Sequence, residues 1–144
     1  MAASENTLNI GLDWEVDLID PPCSFGGWNT GRVVQNIFES LIEDDLEGEI
    51  GATTALIPAL AERVTVSPDG LTYRFDLRQG VRFHDGAAFD AEAVRLNFAR
   101  MRDTLSPVYS PIAANYNRIG IEWIDAIKLV DPFTVDIELG KPFP

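Results

Sequence analysis

Residues 80–86, Gly-Val-Arg-Phe-His-Asp-Gly, contain the single histidine of the chain, His84, directly followed by Asp85. A histidine beside a carboxylate can be a general base with its orienting group, or a metal ligand with its hydrogen-bonding support. Either use needs further residues to converge on it. There is no second histidine and only one cysteine, Cys23, which excludes a zinc site of the usual His/Cys type and an internal disulfide. The flanks suggest a structural role. Phe83 and Phe89 are apolar anchors on either side, Gly86 permits a tight turn, and Asp90 is placed to cap a following helix. His84 and Asp85 therefore read as turn residues that satisfy local backbone groups.

A second glycine-rich stretch, "FGGWNTG" at 25–31, lacks the lysine and hydroxyl pair of a phosphate loop. No Gly-x-Ser-x-Gly elbow and no Gly-x-Gly-x-x-Gly fingerprint occurs anywhere. Carboxylates are plentiful, and no spacing singles out a catalytic pair.

These stretches sit among elements that periodicity makes visible. Residues 7–13 alternate Leu8, Ile10 and Leu12 with polar or small neighbours, which predicts a strand. A loop with two prolines, three glycines, Phe25 and Trp28 follows. From Thr30 as N-cap, Val33, Val34, Ile37, Phe38, Leu41 and Ile42 recur at helical spacing, which predicts an amphipathic helix running to the acidic "EDDLEGE" turn. "SPDG" at 67–70 separates Val64 and Val66 from Leu71, Tyr73, Phe75 and Leu77, a hairpin with a bulge at Gly70. "VRF" reads as a short strand, and "DAEAVRLNFARMRD" as a helix capped by Asp90, with Val94, Phe98 and Met101 on one face. A loop with two prolines, Tyr109 and Tyr116 has room for a short helical turn. Residues 121–139 read as a second hairpin, with Phe133, Val135, Ile137 and Leu139 alternating against polar positions. The order predicts an α+β fold, a mainly antiparallel sheet with two packed amphipathic helices covering one face.

The 144 residues, 46% hydrophobic, supply one ordinary core. Eleven basic against 23 acidic residues give a net charge of −12, which disfavours nucleic acid and anionic membrane as partners. No run reaches the roughly 18 apolar residues of a membrane span, and the start has no signal-peptide pattern. The sequence stops straight after a strand pattern, so it reads as a piece of a longer protein.

Residues 57–101, "IPALAERVTVSPDGLTYRFDLRQGVRFHDGAAFDAEAVRLNFARM", resemble the signature region of the family 5 extracellular solute-binding proteins, the peptide- and nickel-binding components of ABC importers. The resemblance rests on the "P-x-L-A-E" lead, the "SPDGLTYRFDLR-x-GV-x-FHDG" hairpin and turn, and the "F-x-AE-V-x-x-(N/S)F-x-R" helix. Asp20-Pro21 and "IFESL" match the family's opening, and "AIKLVDPFTVDIELGKPFP" its closing hairpin. The segment around "GEIGATTALIPAL" is longer than the usual link. The helix wording is nearest to nickel- and glutathione-type members, though it lies on scaffold.

The resemblance implies two lobes that close on a ligand, with this chain forming part of the first lobe. Residues 1–30 would supply the first strand and a cleft-wall loop of the large lobe, and 31–144 its small subdomain, truncated at the C-terminus, with the second lobe absent. It also implies a small peptide or similar solute as ligand, membrane permease subunits as partners, and a periplasmic or extracytoplasmic location. It implies no catalytic set, metal or cofactor. The ligand-facing residues would be Phe25, Gly26, Gly27 and Trp28 in the first loop, and Tyr109 and Tyr116 in the later one. Aromatics there offer large contact area, and glycines let a ligand approach the backbone. Half a clamp should bind weakly. Apolar surface left near Leu8–Leu12 and Phe133–Leu139 should favour self-association. Two other classes remain at this stage: a hydrolase using acidic-loop carboxylates, and a sensory or regulatory protein on the same scaffold.

Overall fold

The computed structural model describes residues 9–13, 15–24, 27–45 and 55–142. The fold is α+β and its sheets are antiparallel. A four-stranded sheet is built from β3 (Ala61–Val66), β4 (Thr72–Leu77), β5 (Ile124–Asp131) and β6 (Thr134–Leu139), in the order β3-β4-β6-β5. A smaller ladder pairs β1 (Ile42–Asp44) with β2 (Leu56–Pro58).

The first hairpin forms as its turn residues dictate. Gly70 takes φ +70° and donates its N–H to the Ser67 carbonyl at 2.8 Å, while Ser67 N–H reaches the Thr72 carbonyl at 2.9 Å. The register then pairs Val64 with Phe75 on one side, and Phe75 with Val135 and Tyr73 with Ile137 on the other. Because side chains alternate, this register puts Phe75, Leu77, Val135 and Ile137 together on one buried face. The neighbouring positions form a row of ion pairs: Arg63–Asp76, Arg74–Asp136 and Lys128–Glu138.

Helix α2 (Ala91–Arg102) closes the core. Asp90 is its N-cap, its Oδ1 accepting from Ala93 N–H at 2.9 Å, and Ala91 N–H donates to the Pro132 carbonyl in the β5–β6 turn at 2.9 Å. These two bonds fix the start of the helix over the sheet, so that Phe89, Ala91 and Val94 meet Ala61, Phe75 and Val135. Val135 is fully buried. Two short helices follow, α3 (Pro111–Tyr116), capped by Ser110 with Pro111 in its first turn, and α4 (Arg118–Ile121).

Five sequence expectations change. Residues 9–13 form no strand: Ile10 is 73% exposed, and a period-two pattern names faces without supplying a partner strand. Leu8 lies outside the described residues. The helix expected from Thr30 to the acidic turn is instead α1 (Trp28–Val34), with Gly27 as N-cap and Thr30 inside it. It ends early because Asn36 Nδ2 bonds back to the Arg32 carbonyl at 2.6 Å, and Asn36 and Ile37 N–H tighten onto Val33 and Val34 carbonyls three residues back. Leu41 and Ile42 reach the core from a loop and strand β1 instead. "VRF" is reduced to one bridge, Arg82 to Ala88. α2 covers the sheet, whereas α1 contributes no side chain to the core cluster. Finally, β6 is an interior strand with Val135 and Ile137 buried, so 133–139 is not an uncovered edge; the edges are β3 and β5.

Candidate functional site

The His84–Asp85 pair is a turn, as its flanks suggested. Asp85 Oδ1 accepts from Ala87 N–H at 2.9 Å, Gly86 takes φ +88° and donates to the Phe83 carbonyl at 2.9 Å, and His84 is exposed. Phe83 and Phe89 meet edge to face with ring centroids 6.0 Å apart.

The segment leading to the first glycine-rich loop is held by a polar knot. The Asp17 carboxylate accepts from the hydroxyls of Ser24 and Thr30, and Asp17 N–H donates to Thr30 Oγ1 at 3.1 Å. Asn29 Nδ2 donates to Asp13 Oδ1 at 2.9 Å, which lowers the Asp13 pKa from its usual value. α1 is thus tied to residues 13–24 through side chains, with Ser24, Asn29 and Thr30 buried.

A second set of contacts binds the same segment to the α2–α3 region. Asp20 to Cys23 form a 3-10 turn in which Cys23 and Ser24 N–H donate to the Asp20 carbonyl at 2.9 and 3.0 Å. Arg100, in the last turn of α2, grips both Asp20 oxygens at 3.1 and 2.6 Å. That hydrogen-bonded guanidinium holds the Asp20 carboxyl below the ordinary carboxylate range, and the carboxylate raises the arginine in turn. Asn117 Nδ2 reaches the Pro22 carbonyl at 2.9 Å, and Cys23 Sγ lies 3.5 Å from Ser110 Oγ. Arg100 and Asn117 escaped the sequence reading because their partners lie 80 and 95 residues away. The available signal was that Asp20 and Arg100 both belong to segments that carry the family pattern.

Of the six residues expected to face a ligand, Phe25 and Gly26 lie outside the described residues. Gly27 is exposed at φ −57°, and a Cβ at that position would meet nothing within 4 Å, so neither packing nor backbone conformation demands glycine there. Trp28 begins α1 and is 85% exposed. Tyr116 ends α3 and is 48% exposed. Tyr109 lines an open groove of about 540 Å³ formed by α2, α3, α4 and the start of β5. It is also lined by the apolar Met101, Ile121 and Ile124 and by the polar Asn115, Arg118 and Glu122. Trp28 and Tyr116 are not among its lining, so among the described residues the three expected aromatics Trp28, Tyr109 and Tyr116 are not gathered into one pocket.

Comparison with known proteins decides what this arrangement belongs to. Residues 55–144 match the model of the bacterial extracellular solute-binding proteins, family 5. The chain belongs to this family. It is 46% identical over 84 residues to the glutathione-binding protein GsiB of Salmonella paratyphi A, covering 58% of this chain and 15% of that protein. It is 37% identical over 107 residues to the dipeptide-binding protein of Escherichia coli K12, covering 67% of this chain and 20% of that one. Among solved structures, the periplasmic binding protein DppA of Helicobacter pylori, in complex with the peptide STSA, superposes with a TM-score of 0.70 at 30% identity. The superposition covers 86% of this chain and 25% of DppA. NikZ of Campylobacter jejuni, in complex with Ni(L-His), gives a TM-score of 0.60 at 30% identity over 78% of this chain and 20% of that chain. The chain therefore spans a quarter or less of the length of these relatives, and the fold described above is part of the family 5 fold.

Proposed function

We propose that this chain is part of the solute-binding subunit of an ABC importer. It captures oligopeptides, dipeptides or a related small solute in a cleft between two lobes and delivers it to a membrane permease. The observation that carries this reading is the family match over residues 55–144, joined to a likeness to peptide-bound DppA over most of the chain. Residues 1–30 contribute a cleft-wall segment of the large lobe and 31–144 its small subdomain; the Arg100–Asp20 pair and the Asn117–Pro22 hydrogen bond support treating the first segment as docked on the second.

In this reading the subunit works outside the cytoplasm, in the periplasm, and performs no catalysis. Enclosure between lobes supplies the binding energy, and ligand shifts the population toward the closed form. Phe25, Gly26, Gly27, Trp28, Tyr109 and Tyr116 form the part of the ligand surface carried by this chain. Trp28, 85% exposed, contributes little to the packing of this chain itself, which leaves its ring available to a ligand. A nickel- or glutathione-type ligand is the second reading, favoured by the identity to GsiB and the likeness to NikZ.

Isothermal titration of the complete two-lobed protein with short peptides, glutathione and chelated nickel tests this, with the present chain run in parallel. Binding by the complete protein and much weaker binding by the chain is the expected result. Equal affinity in both would overturn the two-lobed clamp.

A further inference from the structure

The groove beside Tyr109 differs in charge from the rest of the molecule. The chain has a net charge of −12, yet this groove presents two guanidinium groups, Arg102 and Arg118, against one carboxylate, Glu122. Arg102 is committed to structure, donating to the carbonyls of Ile124 and Asp125. Arg118 is different. Arg32 lies outside the groove and acts on Asp13 only through its charge; the other basic side chains are engaged: Arg63, Arg74, Arg95, Arg100 and Lys128 in ion pairs, Arg78 and Arg82 on carbonyls, and Lys141 over the Trp123 ring at 4.2 Å. Among the described residues Arg118 shows no ion pair and no side-chain hydrogen bond, even with Glu122 one helical turn along. A guanidinium presents five donors in a planar fork suited to a carboxylate. Here it shares one groove with a phenol, an amide and apolar side chains.

We propose that this groove is a subsite for a carboxylate-bearing apolar group of a small solute. Arg118 pairs with the carboxylate, Tyr109 and Asn115 add neutral hydrogen-bonding groups, and Met101, Ile121 and Ile124 receive the apolar body. The inference rests on the solute-binding reading above and narrows its ligand class. It also gives Tyr109 a role separate from that of Trp28, which lies outside the groove. The overall negative charge of the chain makes the local excess useful for selection: an anion is repelled from most of the surface and is attracted where Arg118 stands.

The test is an amide-resolved NMR titration of this chain with N-acetyl-L-leucine and with its neutral analogue N-acetyl-L-leucinamide. The acid is expected to bind weakly and to move amide signals within residues 109–124, with the neutral analogue roughly 10-fold weaker. Arg118→Gln should erase that difference, and Arg118→Lys should keep part of it. Arg118 is exposed and outside the core, so these variants retain the fold. Equal binding of acid and amide, an Arg118→Gln variant that still prefers the acid, or the same shifts with sulfate alone would each overturn the proposal. These outcomes leave the solute-binding reading standing, whereas that reading fails if the complete two-lobed protein binds no solute at all.

Discussion

Removing the charge from Arg100 should loosen the N-terminal segment without disturbing the sheet. The pair it forms with Asp20 is bidentate at 2.6 and 3.1 Å, and both side chains are 30% exposed. Exposed pairs couple by about 0.2–1 kcal/mol, since water competes for them. The two-point geometry and partial burial raise the expected coupling to about 1–2 kcal/mol. A double-mutant cycle of Asp20→Asn, Arg100→Gln and the double variant, followed by urea unfolding at neutral pH, measures it directly. Because Arg100 depresses the Asp20 pKa in the folded chain, this contribution is complete above the unfolded carboxyl value of about 3.9. It is lost as the pH falls through the lower folded value. Hydrogen exchange localises the effect: the Cys23 and Ser24 amides, which bond the Asp20 carbonyl, should exchange faster in Arg100→Gln, while Phe75 and Val135 keep their protection. A coupling below about 0.3 kcal/mol at neutral pH, or one that survives in acid, would refute the reasoning.

Other outcomes follow from single sites. Arg74→Met leaves the buried Asp136 carboxylate without the guanidinium that holds its pKa down, and should destabilise the chain at neutral pH. Most of that loss should disappear in acid, where Asp136 is protonated, as thermal melts at two pH values would reveal. Gly86→Ala forces a side chain onto φ +88° and should cost about 1 kcal/mol by urea unfolding, even though the space around it is open. Trp28→Ala should change stability by less than about 0.5 kcal/mol, since the ring is exposed, while weakening solute binding by the complete two-lobed protein. A large drop in melting temperature would assign Trp28 to packing instead.

What could be read from sequence was local. The "SPDG" turn, the Asp90 cap and the alternation in 133–139 each carry their own instruction within a few residues, and each appears where expected. The strand pattern at 7–13 failed for the opposite reason: alternation requires a partner strand, and none pairs with residues 9–13 among the described residues. The first helix was overdrawn because Ile37, Phe38, Leu41 and Ile42 continue the apolar spacing past the point where Asn36 competes for the Arg32 carbonyl. For the candidate site, the aromatic loops were visible but their convergence was not. Tyr109 joins the groove through three helices and a strand, and Arg118 acquires interest only because neighbouring cations are engaged elsewhere.

The strand order also sets a timetable. β6 lies between β4 and β5, so the sheet has no complete interior until residues 134–139 have arrived, with all of 78–133 looped out between β4 and its partner. The first hairpin and α2 can form from neighbours, but Phe75 finds Val135 only after that long loop closes. Until then β4 presents a bare hydrogen-bonding edge with Tyr73 and Phe75 beside it, the arrangement that invites pairing with another nascent chain. On the ribosome, the vulnerable interval therefore runs from the emergence of Leu77 to the emergence of Leu139.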